Sequence, residues 1–272
     1  MSKQNHYIKI RKIKDSLQAQ VFVGDLIEEQ FVTDIYASDL MSDVLAYGNS
    51  GSMLLTGLNS VQAAISAYMA EFKAIVFLRG KMPDTDINLF AQEKGLIILS
   101  TQADMYEACV KIASIESENS VPLEIEESIS KTENISEHAF HINGQDFASA
   151  GLVSTQIKAI LKSIGYDPIL IRRVAISTYE AEMNVVMHAK MADVTLKAGD
   201  KTIEIIFKDE GKGIENIELA MKEGFSTATE EQRALGFGAG MGLPNINKNA
   251  DKLKVESTIN IGTIIETCFF VK

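Results

Sequence analysis

A glycine-rich segment near the end of the chain limits the available folds more than any other feature. It runs from Gly236 to Pro244 as Gly-Phe-Gly-Ala-Gly-Met-Gly-Leu-Pro, and a helix-like stretch from Asn245 to Ala250 follows. Glycines leave backbone N–H groups uncovered, and a helix start adds a favourable dipole end, so the segment suits phosphate groups. A Rossmann fingerprint needs a strand directly before the glycines and a βαβ context after them, and neither is evident. A P-loop is excluded because no Gly-Lys-Ser/Thr ending occurs.

A polar line on a predicted helix precedes the glycines. Pro168 suits a first helical turn, and the apolar spacing that follows predicts a helix over Pro168 to Ala189. Glu180, Asn184 and His188 are four residues apart on this helix and therefore share one face. Taken alone, the pattern is more typical of a solvated face, and His188 of a capping or surface histidine.

An acidic motif with two glycines ends a predicted hairpin. Residues Asp193 to Lys197 and Thr202 to Phe207 alternate between apolar and polar around the turn Ala198-Gly199-Asp200. The second strand runs into Asp209-Glu-Gly-Lys-Gly213, where Gly211 and Gly213 permit positive φ angles and a close approach of a ligand to the backbone. Taken alone, the motif fits an ordinary polar turn equally well.

In this order and spacing the motifs resemble the GHKL superfamily of ATP-binding proteins, which have the Bergerat fold. The N, G1 and G2 boxes of that superfamily match Glu180–Asn184, Asp209–Gly213 and Gly238–Leu243, and Gly262-Thr263 matches its short final box. The four boxes extend over about half of the chain and are far more specific together than singly. The resemblance implies an α+β Bergerat-type sandwich in the C-terminal half.

The resemblance also implies a site for ATP and Mg2+. Glu180 would be the general base, and Asn184 would supply a protein ligand to Mg2+, an ion that keeps waters and takes other ligands from phosphates. Asp209 would accept a hydrogen bond from the adenine amino group, with Thr263 nearby. The other nucleotide-binding positions that it implies are His188, Gly211, Gly213, Gly238, Gly240, Gly242 and Leu243.

Three basic residues are candidates for stabilising the charge of the γ-phosphate: Lys212, Lys222 and Arg233. Arg233 is preferred as a catalytic residue because it lies beside the lid that the glycines would form. The alternative for each is a solvated surface side chain.

Within the superfamily, the chain is most similar to the anti-sigma-factor serine/threonine kinases. Its N box begins with Glu180 and ends near His188, and Glu223–Thr227 resembles the phrase that precedes the lid in that branch. Histidine kinases typically begin the N box with Asn and carry a phosphoacceptor histidine on a dimerising helix. His138 and His141 lie in a strand-like stretch, so neither is a good phosphoacceptor.

Residues 1–115 predict an α/β layered domain. Near-continuous apolar strands such as Ala74 to Leu78 and Leu96 to Ser100 alternate with helical patterns, as in a sheet covered on both faces. Tyr36–Ala46, Leu54–Gly57 and Lys81–Asp84 resemble parts of a DRTGG-type domain, without the Asp-Arg-Thr-Gly-Gly signature. This resemblance implies a regulatory or sensor domain, and a packing or dimerisation module is the alternative.

Composition separates the halves and excludes several classes of function. Residues 116–136 are rich in Glu, Ser, Asn, Lys and Thr, which predicts a linker before a domain at 137–272, although Glu124 to Lys131 could form a polar surface helix. The chain lacks a membrane-length apolar run and a signal-peptide pattern, and a net charge of −11 disfavours nucleic acid. Cys109 and Cys268 suit a reducing compartment. We therefore expect a soluble, cytoplasmic protein.

The expected function is that of an ATP- and Mg2+-dependent protein serine/threonine kinase of the anti-sigma-factor type. Its partner would be a protein such as a sigma factor or an antagonist of the anti-sigma factor. Two alternatives stay open: a nucleotide-gated module that binds a partner without phosphorylating it, and a slow ATPase switch. A homodimer is suggested by family analogy alone.

Overall fold

The computed structural model describes residues 7–24, 27–116, 136–228 and 238–272. The chain divides into two compact units, Met1–Glu127 and Ser128–Lys272. The predicted linker at 116–136 and its alternative helix lie almost entirely outside the described residues. Within the described ranges, no helix combines the length and the apolar character needed to cross a membrane.

A five-stranded sheet forms the centre of the N-terminal unit. Its strands are β2 (Gln20–Val23), β4 (Ile35–Ala37), β5 (Met53–Thr56), β6 (Ala74–Phe77) and β7 (Ile97–Ser100), in the order β2-β7-β6-β5-β4. Strands β4 to β7 are parallel, whereas β2 pairs with β7 in the antiparallel direction. Two short strands, β1 (Ile8–Lys9) and β3 (Phe31–Val32), form a separate antiparallel pair.

The helices of the N-terminal unit alternate with the strands, as the sequence predicted. They are α1 (Ile10–Leu17), α2 (Met41–Tyr47), α3 (Val61–Met69), α4 (Thr85–Lys94) and α5 (Met105–Glu116). Side chains of α1 and α5 form one core with alternate sheet residues such as Leu55 and Val76. The intervening sheet residues, such as Leu54 and Ile75, are also fully buried. Burial on both faces explains why these strands are apolar without alternation.

The C-terminal unit is built on an antiparallel sheet. Its strands are β8 (Ser136–Asn143), β9 (Ala189–Ala198), β10 (Thr202–Gly211), β11 (Lys252–Thr258) and β12 (Gly262–Phe270), in the order β11-β12-β10-β9-β8. Strands β9 and β10 form the predicted hairpin and extend beyond its predicted ends. The register between them shifts between Asp209 and Gly211, so a bulge lies where β10 ends. Such irregularities re-aim side chains at the ends of strands.

The helices of the C-terminal unit are α6 (Leu152–Ile164), α7 (Pro168–His188), α8 (Ile217–Ala220) and α9 (Gly242–Asn249). Helix α7 begins as its sequence predicts, since the Asp167 carboxylate accepts hydrogen bonds from the N–H groups of Ile169 and Leu170, and Pro168 occupies the first turn. It packs against α6, α9 and the sheet. Most of its length is therefore buried, and a charged side chain there needs a specific explanation.

Candidate active site

Helix α7 carries the predicted polar line. Glu180 is only 4% exposed, Asn184 is half-buried, and His188 lies exposed at the last turn. Eight residues of helix separate Glu180 from His188, a distance of about 12 Å along the axis. The candidate site is therefore an elongated region along α7. Glu180 and Asn184 lie at one end of it, and His188 lies at the other.

Glu180 is a buried carboxyl group held by an amide from another helix. The side-chain N–H of Asn245, in the first turn of α9, donates a 2.5 Å hydrogen bond to Glu180 Oε1. Burial raises the pKa of Glu180 to about 7, and the hydrogen bond from Asn245 opposes that rise. A carboxyl group with a pKa near neutrality can exchange a proton at the pH of a cell, as a general base must.

Gly242, the last glycine of the glycine-rich segment, lies directly against Glu180 and Asn184 of α7. A Cβ atom at Gly242 would lie 3.2 Å from Asn184 Oδ1 and 3.5 Å from Glu180 Oε2. Gly242 also begins α9, so the N-terminal end of that helix meets Glu180 and Asn184, and the adjacent Leu243 is buried. The structure thus joins the first and third motifs of the sequence.

Asp209 and Thr263 form the second end of the region. The backbone N–H of Thr263 donates to Asp209 Oδ1 at 3.0 Å across the β10–β12 pair. Burial raises the pKa of Asp209, and the Thr263 hydrogen bond opposes that rise. Ser257 Oγ lies 2.9 Å from Thr263 Oγ1 and accepts a hydrogen bond from the N–H of Ile214 at 2.7 Å. This network fixes the loop after β10 against β11 and β12.

The glycines after Asp209 allow this close packing. A Cβ atom at Gly213, where φ is +73°, would lie 2.5 Å from the backbone oxygen of Thr258. One at Gly211 would lie 3.2 Å from the backbone oxygen of His188. The Asp209 end is therefore anchored beside the C-terminal end of α7, about two helical turns from Glu180.

The structure describes only part of the predicted lid, including Gly238 and Gly240. Gly238 has a positive φ of +88°, and Gly240 has one of +74° and accepts a hydrogen bond from the N–H of Gly224 at 3.1 Å. A Cβ atom at Gly240 would overlap the backbone of Gly224 and Phe225. Arg233, predicted as a catalytic residue, lies outside the described residues, as does the rest of 229–237.

The donor set fits a nucleotide with magnesium better than a metal bound by protein alone. Within the described residues, no group of three or more His, Cys, Asp or Glu side chains could hold a metal ion. Mg2+ commonly takes one or two protein oxygens and completes its shell with phosphates and water. The amide oxygen of Asn184, beside the N-terminal end of α9, suits that arrangement.

Three residues that shape this region were not among the predicted site residues: Asn245, Ser257 and Glu182. Glu182 is a second buried carboxyl group on α7, and its oxygens accept hydrogen bonds from the N–H groups of Gly151, Val153 and Ser154 at 2.8–3.2 Å. It thus caps the start of α6, where a carboxylate complements the helix dipole. The only sequence signal for Asn245 is its place three residues after Gly242.

Comparison with known proteins finds a family match within the C-terminal unit. The family model for the histidine kinase-, DNA gyrase B-, and HSP90-like ATPase matches residues 172–272. An anti-sigma F factor of Anoxybacillus flavithermus is 31% identical over 108 residues, which are 37% of this chain and 70% of that protein. The chain belongs to the anti-sigma-factor branch of this ATPase family.

Other relatives are similar over about a third of the chain or slightly more. An anti-sigma F factor of a Thermoanaerobacter species is 42% identical over 99 residues, 34% of this chain and 64% of that protein. The chain thus spans less than two thirds of the length of that relative. The serine/threonine-protein kinase RsbT of Bacillus subtilis is 27% identical over 111 residues, 39% of this chain and 77% of that protein.

Similarity to solved structures is weaker. The CBS and DRTGG domains of the regulatory region of Clostridium perfringens pyrophosphatase, solved with diadenosine tetraphosphate, share 14% sequence identity with the chain at a TM-score of 0.35. The match covers 38% of this chain and 45% of that one. Similarity at this level does not assign the N-terminal unit to a family.

Proposed function

We propose that the protein is an ATP- and Mg2+-dependent serine/threonine kinase that acts on a protein partner, as a member of an anti-sigma-factor circuit. The observation that supports it most is the buried Glu180 carboxyl group beside Asn184 and the start of the glycine segment. Burying a carboxyl group costs stability. A module that only binds nucleotide and partner has no use for that cost, whereas phosphoryl transfer needs a base at this place.

In the proposed reaction, a serine or threonine hydroxyl of the partner attacks the γ-phosphorus of ATP. Glu180 takes the proton of that hydroxyl, a new O–P bond forms, and the bond between the γ-phosphorus and its bridging oxygen breaks to leave ADP. Asn184 would hold Mg2+, which neutralises phosphate charge when it is bound. The protein contributes chiefly by placing the base and backbone N–H groups around the reacting phosphate.

The Asp209 end would bind the base of the nucleotide. One carboxylate oxygen accepts from Thr263, and the other could accept from the adenine amino group. His188 and Gly211 would lie along the nucleotide between the two ends. Gly238, Gly240 and Gly242 would cover the phosphates with Leu243, and Arg233 would stabilise γ-phosphate charge.

The N-terminal domain, residues 1–115, would serve as a DRTGG-like sensor or docking unit. Its support is the sequence resemblance together with an α/β architecture whose parallel strands end at one edge. The C-terminal kinase domain would span 137–272, with 116–136 as the linker.

The kinase proposal is tested with the full chain. We would capture partners from an extract of the source cells with the chain, Mg2+ and a non-hydrolysable ATP analogue, and then incubate them with the chain and [γ-32P]ATP. Label on a serine or threonine of a captured protein, located by mass spectrometry, is expected. Phosphate release without a labelled protein would indicate an ATPase switch, and bound but intact ATP would indicate a binding module.

Asp209→Asn should weaken ATP binding about 10- to 100-fold, because it sets an N–H donor against the adenine amino group and leaves a buried donor without an acceptor. Isothermal titration with Mg·ATP measures this loss. Inosine triphosphate, which has a carbonyl oxygen in place of the amino group, is the matched ligand, and we expect the variant to bind it at least as well as the wild type, because the amide can donate to that oxygen. An equal loss for both nucleotides would contradict the contact between Asp209 and adenine.

A further inference from the structure

Asn245 is a buried amide to which neither the motifs nor the proposed function assigns a role. Its side chain is 0% exposed and lies in the first turn of α9 between the buried apolar residues Leu243 and Ile246. An amide loses free energy on burial unless it is hydrogen-bonded, and an apolar residue would pack more favourably there. The 2.5 Å hydrogen bond to Glu180 Oε1 therefore explains why a polar side chain occupies this helix–helix contact.

Helix α9 is held on α7 at both ends. At its N-terminal end Asn245 donates to Glu180, and at its C-terminal end Arg173 Nε donates to the backbone oxygen of Asn249 at 2.8 Å. Arg173 also pairs with Asp251 at 2.9 Å, directly after the helix. From Asn245 to Asn249 the chain advances four residues along α9, whereas their partners on α7 run back seven residues, from Glu180 to Arg173. The two helices are therefore antiparallel. Two separate anchors fix where the Asn245 amide stands relative to Glu180.

The hydrogen bond orients the two carboxyl oxygens of Glu180. Oε1 is engaged by Asn245, whereas Oε2 lies 3.5 Å from the Cβ position of Gly242. Rotation of the carboxyl group would break the bond to Asn245. In the bound orientation, Oε2 faces the beginning of α9 and the glycine segment that precedes it.

We propose that Asn245 is a positioning residue: its side-chain amide holds Oε1 of Glu180 and thereby directs Oε2 at the place where the phosphate acceptor enters. This inference rests on the proposed role of Glu180 as general base. A base held in one orientation spends a larger fraction of the time in the geometry that reacts. Asn245 therefore raises the rate of phosphoryl transfer and does not change the affinity for the nucleotide.

Asn245→Ala and Asn245→Leu both remove the donor, one leaving a cavity and the other filling it. We expect each to lower the single-turnover rate of γ-phosphate transfer from Mg·[γ-32P]ATP to the captured partner about 10- to 100-fold, with ATP affinity within about threefold of wild type. Asn247→Ala, an exposed asparagine on the same helix, is the control and should leave the rate unchanged. A purely structural role would instead separate the Ala variant from the Leu variant.

A double-mutant cycle decides whether Asn245 acts through Glu180. In a Glu180→Gln background, Asn245→Ala should change the residual rate by less than about twofold, because the base is already lost. The same loss in both backgrounds, or a wild-type rate in the single variants, would overturn the inference. Failure of the wild type itself to transfer the γ-phosphate to the captured partner would overturn the proposed function and with it the catalytic meaning of this contact.

Stability of the nucleotide-free protein gives a readout that needs no activity. Asn245→Leu should lower the urea midpoint in the wild-type background, where it leaves Glu180 without this donor. In a Glu180→Met background it should lower the midpoint less or raise it, since the acceptor is gone. Equal midpoint shifts in both backgrounds would show that the two side chains are not coupled.

Discussion

Glu180→Gln should reduce phosphoryl transfer about 10²- to 10⁴-fold while leaving the affinity for Mg·ATP within about threefold, which is the range expected when a general base is removed and binding is kept. Glutamine matches glutamate in shape, and its Oε1 can still accept the hydrogen bond that Asn245 donates to Glu180 Oε1. Its amide, however, cannot take a proton from an attacking hydroxyl. The variant therefore separates the chemistry of the group from its contribution to packing.

Radiolabelled transfer to the captured partner measures the rate, and isothermal titration measures the affinity. Glu204→Gln is a suitable control, since Glu204 is exposed near the start of β10, far along that strand from Asp209. We expect wild-type transfer from it. Unchanged transfer in the Glu180 variant would remove Glu180 from the catalytic role, and a large loss of affinity would instead make it a nucleotide-binding residue.

Local sequence was sufficient to predict much of the fold. The apolar runs at Ala74–Phe77 and Ile97–Ser100 are strands buried on both faces, and the capped start of α7 at Asp167 and Pro168 follows helix-start rules. Helix α1 was not predicted. It is only eight residues long and buries Ile10, Ile13 and Leu17 among charged neighbours. Its sequence therefore shows the apolar spacing of a helix over only two turns, which is a weak signal. Packing against α5 stabilises it more than its own propensity does.

The candidate site was predictable as motifs but not as a set of contacts. Glu180 and Asn184 share a helix face by spacing alone, whereas their contact with Gly242 depends on how α9 docks on α7. Ser257 is a common polar residue in a polar stretch, and Asn245 has no sequence signal beyond its place three residues after Gly242. Glu182 looks like a neighbour of Glu180 in sequence, yet it faces α6 and caps that helix. Such roles arise from tertiary packing.

Glu180 should also make the stability of the nucleotide-free, metal-free protein depend on pH. Its pKa is about 7 in the folded state, compared with 4.5 for an ordinary glutamate. A carboxyl group with a raised pKa favours folding most below 4.5 and loses that contribution as the pH rises from 4.5 through 7. A shift of this size corresponds to about 3 kcal/mol, since one pKa unit is about 1.4 kcal/mol.

Glu180→Gln carries no charge at any pH, so it should be more stable than the wild type by about 3 kcal/mol at pH 8 and about equal to it at pH 4.5 or below. Urea unfolding of the full chain in EDTA, at several pH values between 4 and 8, measures the difference. Glu204→Gln should differ from the wild type by less than about 0.5 kcal/mol throughout, as is usual for an exposed side chain. A constant difference between Glu180→Gln and the wild type across this range would mean that Glu180 does not titrate there. An inactive variant that is more stable than the wild type at pH 8, but not at pH 4.5, is the combination expected when a buried carboxyl group is kept for chemistry at a cost to folding.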